Sequence, residues 1–319
     1  MDGNAPALPI IDLTNLALND PTETAKITTN ITQACRDKGF FYITGHGIES
    51  SLQAELFDQA KHFFAQPETQ KLAISTQKSK ANRGYEPIKH QTLEANGLPD
   101  LKEGFYIGTD LPENHPMVQA GRFNYGSNQW PKNMPTFQQA SNQYLQQLTQ
   151  LATKIMRLLA LSLELEEDYF KDFCQDPLVT LRLLHYPPQP SMSHPDEKGC
   201  GAHTDFGGIT LLLQDENGGL EVWDHDNQQW LAAPPIAGSY IVNLGDMIAR
   251  WTNDTYQSTR HRVINRSGKE RYSIPFFFSG HPDHKVACIE SCLAPSEQAK
   301  YAPVTVEEHM REMYRRTYL

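Results

Sequence analysis

Three short stretches of this sequence carry side chains that could do chemistry together. The first is Gly201-Ala202-His203-Thr204-Asp205-Phe206-Gly207-Gly208-Ile209-Thr210-Leu211-Leu212-Leu213-Gln214, whose apolar tail reads as strand. If the strand already includes His203, alternation turns His203 and Asp205 to one face and Thr204 to the other. An imidazole beside a carboxylate makes two-thirds of a metal site. The spacing His-x-Asp also occurs at His194-Pro195-Asp196 and His281-Pro282-Asp283, but there the middle residue is proline, which marks a turn or an edge. Only the copy at 203–205 leads into a strand-like run, so context selects it.

The second stretch, Ser258-Thr259-Arg260-His261-Arg262-Val263, is a polar turn entering a strand, and His261 is the best candidate for a third ligand. Two imidazoles and one carboxylate that leave positions open form the facial triad of non-haem Fe(II) oxygenases. The third stretch, Arg271-Tyr272-Ser273, follows ten residues later. Alternation again puts its first and third residues on one face. The Arg271 fork suits a carboxylate, and Ser273 adds a hydroxyl.

These side chains need a frame that brings distant parts of the chain together. Short runs of strand character at 178–186, 203–214, 220–223, 229–232, 239–244, 247–251, 261–265 and 271–279 are separated by turn-forming clusters. Such spacing predicts strands of an all-β sandwich or barrel, and no strand–helix alternation argues for a Rossmann-type sheet. Before this region, strands are expected at 8–13, 40–44 and 101–108. Helices are expected from the cap-then-proline signature at Asp20-Pro21 to Asp37, over 50–65, over about 136–163 and over 305–316. The polar stretch 75–96 reads as a long loop.

Composition narrows the class. A chain of 319 residues, 39% hydrophobic and 21% charged, can bury a substantial core. Its formal net charge of −10 argues against a non-specific binder of nucleic acid or anionic membrane. No secretory signal or bilayer-spanning apolar segment is visible, so a cytoplasmic protein is expected. The five cysteines are odd in number and scattered, as expected of reduced thiols. Cys288 and Cys292 follow His281 and His284 too closely for a zinc-finger site.

The order His203-x-Asp205, His261, Arg271-x-Ser273 resembles the isopenicillin N synthase-like family of Fe(II)- and 2-oxoglutarate-dependent oxygenases. Within it, the overall pattern resembles bacterial-type 2-oxoglutarate members, with some likeness to ethylene/succinate-forming enzymes, more than it resembles isopenicillin N synthase or aminocyclopropane-carboxylate oxidase. Pro9-Ile10-Ile11-Asp12-Leu13, Gly39-Phe40-Phe41-Tyr42-Ile43, Gly45-His46-Gly47-Ile48 and Asn243-Leu244-Gly245-Asp246 extend the likeness over nearly the whole chain. The resemblance implies a mainly β fold with flanking helices. Its core would be a double-stranded β-helix, a distorted jelly roll, with an α-rich N-terminal region, a long scaffold helix and a C-terminal helix. Residues 1–100 would form an N-terminal α/β region packed on the core, 101–285 the core itself and 286–319 a helical segment, in one structural unit.

The resemblance also implies roles. His203, Asp205 and His261 would hold Fe(II), while Arg271 and Ser273 would bind the C5 carboxylate of 2-oxoglutarate. Tyr186, in Leu184-His185-Tyr186-Pro187-Pro188, matches a tyrosine that reaches the co-substrate carboxylate, although Leu184 stands where plant members carry asparagine. O2 would be consumed, with ascorbate as a candidate reductant, and succinate and CO2 released as a small organic substrate is oxidised, hydroxylation being the expected outcome. Candidate substrate residues are Arg83, Tyr85, Lys102, Phe105, Arg182, Phe206, Phe276 and Phe278, with the C-terminal helix. The partner is a small molecule, not nucleic acid or membrane, and the protein is expected to be a monomer or weak dimer. Two alternatives stay open at this point: an oxidase of the same fold that needs no 2-oxoglutarate, and a non-catalytic binding protein on this scaffold.

Overall fold

The computed structural model describes residues 8–16, 20–189, 194 and 196–318. Strand β1 (Ile10–Asp12) leads to helix α1 (Pro21–Asp37) and strand β2 (Phe40–Thr44). The helix begins as its sequence predicts: the Asp20 side chain accepts from the amides of Thr22 and Glu23, and Pro21 sits where no amide partner is lost. Gly39, at φ +63°, turns the chain out of the helix, and a Cβ there would lie 1.9 Å from the Gln257 carbonyl oxygen.

Helices α2 (Ser50–Phe64) and α3 (Glu68–Leu72) follow, then β3 (Gly84–Glu86), β4 (Glu103–Ile107), α4 (Pro116–Gln119) and the long α5 (Pro135–Ser162). After α6 (Lys171–Cys174) come β5 (Leu178–Tyr186), β6 (Cys200–His203), β7 (Ile209–Gln214), β8 (Leu220–Asp224), β9 (Gln229–Ala232) and β10 (Tyr240–Leu244). Then come α7 (Asp246–Trp251), β11 (His261–Val263), β12 (Arg271–Gly280), β13 (Lys285–Val286), β14 (Val304–Thr305) and α8 (Val306–Tyr318).

The strands build an eight-stranded sheet in the order β1-β2-β10-β7-β12-β5-β4-β3 and a four-stranded sheet in the order β6-β11-β8-β9. This is the jelly-roll core with flanking helices that the sequence predicted. Strands β1, β2 and β3, from the first hundred residues, are hydrogen-bonded into the same large sheet as the core strands.

Three expectations change. The stretch 75–96 contains the edge strand β3, whose three residues are all buried; so short a strand leaves no period to read. The run 247–251 is helix α7, not strand. Gly245 ends β10, and the amides of Ile248 and Thr252 bond back to the carbonyls of Gly245 and Ile248. Five residues, four of them apolar, cannot by themselves tell buried strand from buried helix. The run 203–214 is likewise two strands in different sheets, broken at 204–208.

The strands of the large sheet are apolar on both faces because each face meets a different core. Phe41, Ile43, Leu181, Leu183, Phe276 and Phe278 join the larger core, which also holds Phe63 of α2 and Tyr144, Leu148 and Ile155 of α5. Phe40, Tyr42, Leu184 and Tyr186 face the other way, into a smaller cluster with Cys200, Leu220, Val222 and Val263 of the second sheet. The helices therefore stiffen the sheet from behind, and the space between the sheets is left for the site.

Phe63 is fully buried, with its ring 4.7 Å from that of Phe105 and 5.5 Å from that of Phe137. Phe63→Ala should lower unfolding stability by about 3–5 kcal/mol in urea denaturation. A loss under about 1 kcal/mol would contradict this packing of α2 on the sheet.

Candidate active site

The two imidazoles meet because their strands pair. In the antiparallel ladder of β6 and β11, His203 lies directly opposite His261, and the ring centroids are 4.3 Å apart. Asp205 comes from the turn after β6, not from the strand itself. Its convergence on His203 therefore depends on how that turn is held. The amides of Gly245, Asp246 and Met247, at the start of α7, bond to the carbonyls of Gly208, Asp205 and Gly207 at 2.7, 2.8 and 3.2 Å. A Cβ on Gly245 would lie 2.2 Å from the Gly207 oxygen, so only glycine lets the two segments close.

The result is a compact donor set. Asp205 Oδ1 lies 3.7 Å from Nε2 of both His203 and His261. One ligand atom from each of the three residues falls within 4.8 Å of the others, as a shared metal ion requires. Among the described residues no other histidine, cysteine, aspartate and glutamate side chains gather in this way, and His281, His284, Cys288 and Cys292 do not.

Hydrogen bonds orient every donor. His203 Nδ1 is 2.7 Å from the Gly201 carbonyl and His261 Nδ1 is 3.2 Å from that of Thr259. A carbonyl can only accept, so both Nδ1 atoms carry a proton, and both Nε2 atoms are turned toward Asp205. Burial and the neighbouring His203 pull the His261 pKa down to about 4, which keeps that imidazole neutral. Asp205 Oδ2 accepts from Thr210 Oγ1 at 2.5 Å and Asn243 Nδ2 at 2.7 Å, leaving Oδ1 to the imidazoles. Burial pushes the Asp205 pKa up, but the neighbouring histidines in their protonated form, together with the Asn243 and Thr210 donors, outweigh it, and the carboxyl is held below its ordinary range.

Behind the triad lies an inner chamber between the sheets, lined by Lys102, Leu184, Tyr186, Arg271, Ser273 and Pro275 among others. Arg271 is fully buried there. Its Nε donates to the Gly218 carbonyl, its Nη2 donates to Gln214 Oε1 at 2.9 Å, and its guanidinium carbon sits 4.7 Å from the Tyr186 ring centroid. Nη1 has no hydrogen-bond partner among the described residues. Ser273 and Tyr186 line the same chamber. A carboxylate would satisfy that buried donor, and 2-oxoglutarate has one at its far end, so the residues present fit this co-substrate.

An outer chamber opens on the other side of the triad, lined by Gln91, Thr180, Arg182, Phe206, Phe277, Met310 and Tyr314 among others. The C-terminal helix supplies the last two, as anticipated. The candidate substrate residues divide. Arg182 and Phe206 line the outer chamber, and Lys102, expected there, lies in the inner one, paired with Asp100. Arg83 is buried elsewhere: its Nη2 donates to the Asn124 carbonyl at 2.6 Å and its guanidinium packs over Gly108. Tyr85 turns away to donate to Glu103 at 2.6 Å. Phe105, Phe276 and Phe278 belong to the core behind the sheet.

The phenylalanine correction follows from strand parity. Arg271, Ser273, Pro275 and Phe277 share the inward face of β12, so Phe276 and Phe278 must point outward. Phe277 could have been picked from its even spacing to Arg271. Thr210 and Asn243 left no such signal, because only the pairing of β7 with β10, which sets them opposite each other, brings both to Asp205.

Comparison with known proteins agrees with this geometry. Residues 8–133 match the family described as non-haem dioxygenase in morphine synthesis N-terminal, and residues 177–280 match the 2OG-Fe(II) oxygenase superfamily. The 2-oxoglutarate-Fe(II) type oxidoreductase hxnY of Emericella nidulans is 46% identical over 98% of this chain and 90% of its own length. A 2OG-Fe(II) oxygenase family protein from Caulobacter crescentus, solved as a crystal structure, is 32% identical with a TM-score of 0.84, over 98% of this chain and 99% of that one. A full-length Neurospora crassa protein crystallised with alpha-KG (2-oxoglutarate) is 29% identical with a TM-score of 0.83, covering 98% and 97% of the two chains. The chain belongs to the 2OG-Fe(II) oxygenase superfamily, and it is an Fe(II)- and 2-oxoglutarate-dependent oxidoreductase.

Proposed function

We propose that His203, Asp205 and His261 are the iron ligands, that Arg271, Ser273 and Tyr186 seat the distal carboxylate of 2-oxoglutarate, and that the outer chamber receives the substrate. The observation that carries this reading is the Arg271 Nη1, an orphaned donor in a fully buried guanidinium, in the same chamber as the three converging ligand residues. When bound, iron and 2-oxoglutarate supply oxidative decarboxylation to succinate and CO2 coupled to oxidation of a small organic molecule, with hydroxylation the expected outcome.

The chain's own residues divide the remaining work. Three protein ligands on one side leave the other side of the metal point open to small molecules. Thr210 and Asn243 hold one Asp205 oxygen so that the carboxylate presents the other. The apolar lining of the inner chamber, with Phe40, Leu212, Leu220 and Val263, keeps water from the co-substrate seat and strengthens the Arg271 contact. This reading also favours the co-substrate-dependent enzyme over an oxidase without 2-oxoglutarate, since the seat is built and the relatives carry that co-substrate in their names. Free thiols at Cys35, Cys174, Cys200, Cys288 and Cys292 support a reducing, cytoplasmic setting.

Three measurements check it. His203→Ala and Asp205→Ala should each reduce succinate release, assayed with Fe(II), ascorbate and 2-oxoglutarate, to the no-enzyme background; turnover at the wild-type rate in either would defeat the metal assignment. Arg271→Gln removes charge-assisted hydrogen bonds worth about 1.5–3 kcal/mol and should raise half-saturating 2-oxoglutarate roughly 10- to 100-fold. Asn243→Ala should weaken Mn(II) binding about 10- to 100-fold in an anaerobic titration while His203 and His261 remain in place. Unchanged Mn(II) affinity would remove the Asn243 contact from the metal site's support.

A further inference from the structure

The outer chamber is selective in charge. Of its lining side chains, Arg182 is the one cation and Asp205 the one carboxylate. Asp205 is committed, with Oδ2 held by Thr210 and Asn243 and Oδ1 facing two imidazoles. A cationic substrate would therefore find no counter-ion among these residues, whereas an anionic one would find Arg182.

Arg182 is also held in a fixed plane. It sits on β5, opposite Tyr106 of β4, with its guanidinium carbon 4.5 Å from the Tyr106 ring centroid and 4.9 Å from that of Phe277. Two aromatic faces restrict the rotation of the fork. Tyr106 is itself anchored through its hydroxyl to Glu86. From α8, the Tyr314 hydroxyl comes within 3.3 Å of Arg182 Nη2, so the C-terminal helix brings a phenol to the same spot. Phe206 and Phe277 line the same chamber as Arg182, His203 and Asp205.

We propose that the outer chamber takes a small aromatic carboxylic acid, with its carboxylate on Arg182 and its ring between Phe206 and Phe277. The proposal rests on the reading above that this chamber is the substrate side. Arg182 lines both chambers, so the carboxylate it meets has two possible sources: the substrate, or the co-substrate's own metal-proximal carboxylate. The inner chamber already has Arg271 and Lys102, and the contact with α8 lies on the outer side, which favours the substrate.

The test uses the full-length protein loaded with Mn(II) and saturating 2-oxoglutarate without O2, titrated calorimetrically with benzoate against benzamide and with phenylacetate against phenylacetamide. At least one acid should bind about tenfold or more tighter than its amide. Arg182→Gln should bring that acid down to its amide, and Arg182→Lys should keep part of the preference. Equal binding of acids and amides by the wild type, or no binding of any acid, overturns the proposal without using a variant that could misfold. It is also overturned if 2-oxoglutarate displaces the acid competitively, or if Arg182→Gln raises half-saturating 2-oxoglutarate while the preference for acids persists; the arginine then serves the co-substrate. Failure of wild-type enzyme to release succinate with Fe(II) would instead strike the reading beneath it.

Discussion

The structure turns on one buried carboxylate that must stay charged and keep one oxygen available. Asp205 lies in the space between two sheets, where an isolated charge would be costly. Two neutral donors, Thr210 and Asn243, stabilise it through Oδ2, and the two imidazoles lie beside Oδ1. Both donors belong to the large sheet and both imidazoles to the small one. The carboxylate is thus the point at which the two sheets are registered to each other, and the surrounding elements serve that registration. The turn carrying Asp205 hangs from the amides at the start of α7.

The two-faced strands follow from the same constraint. A site between sheets needs a rigid floor, and the long helix α5 with α1 and α2 supplies it by covering the outer face, Phe63 of α2 and Phe137 of α5 packing on Phe105 of β4. The inner face is then free to mix polar and apolar groups. On β12 one parity carries Arg271, Ser273, Pro275 and Phe277, and the other carries Tyr272, Ile274, Phe276 and Phe278 into the helix-side core. One strand therefore does two jobs, with the pleat keeping them apart.

Charge is distributed along the cavity in the same economical way. Arg271 closes the deep end and Arg182 stands where the inner and outer chambers meet. The metal point lies between these chambers, with His203 and Asp205 in the walls of both. A net charge of −10 over the whole chain says nothing of this arrangement, because the cations that matter are few, Arg271 buried and Arg182 half-buried. The C-terminal helix completes the outer chamber with Met310 and Tyr314, and Glu307 of that helix is bound to Arg122 at 2.7 Å.

Residue type and spacing alone determined the chemistry. His-x-Asp, a later His, and Arg-x-Ser ten residues on point to metal ligands and a carboxylate seat through side-chain character, although a turn and not strand alternation brings Asp205 to His203. The capped start of α1, the long apolar face of α5 and the succession of short strands were legible because their periods are local. Tertiary structure alone decided the rest. Whether 247–251 is helix or strand, whether Asp205 reaches His203 through a strand or a turn, and which of Arg83, Lys102 and Arg182 meets the outer chamber depend on packing partners distant in sequence. Arg83 and Arg182 are the same residue type; only the sheet that β5 joins, with Tyr106 on one side and Phe277 on the other, turns Arg182 toward the site while Arg83 stays beneath Asn124.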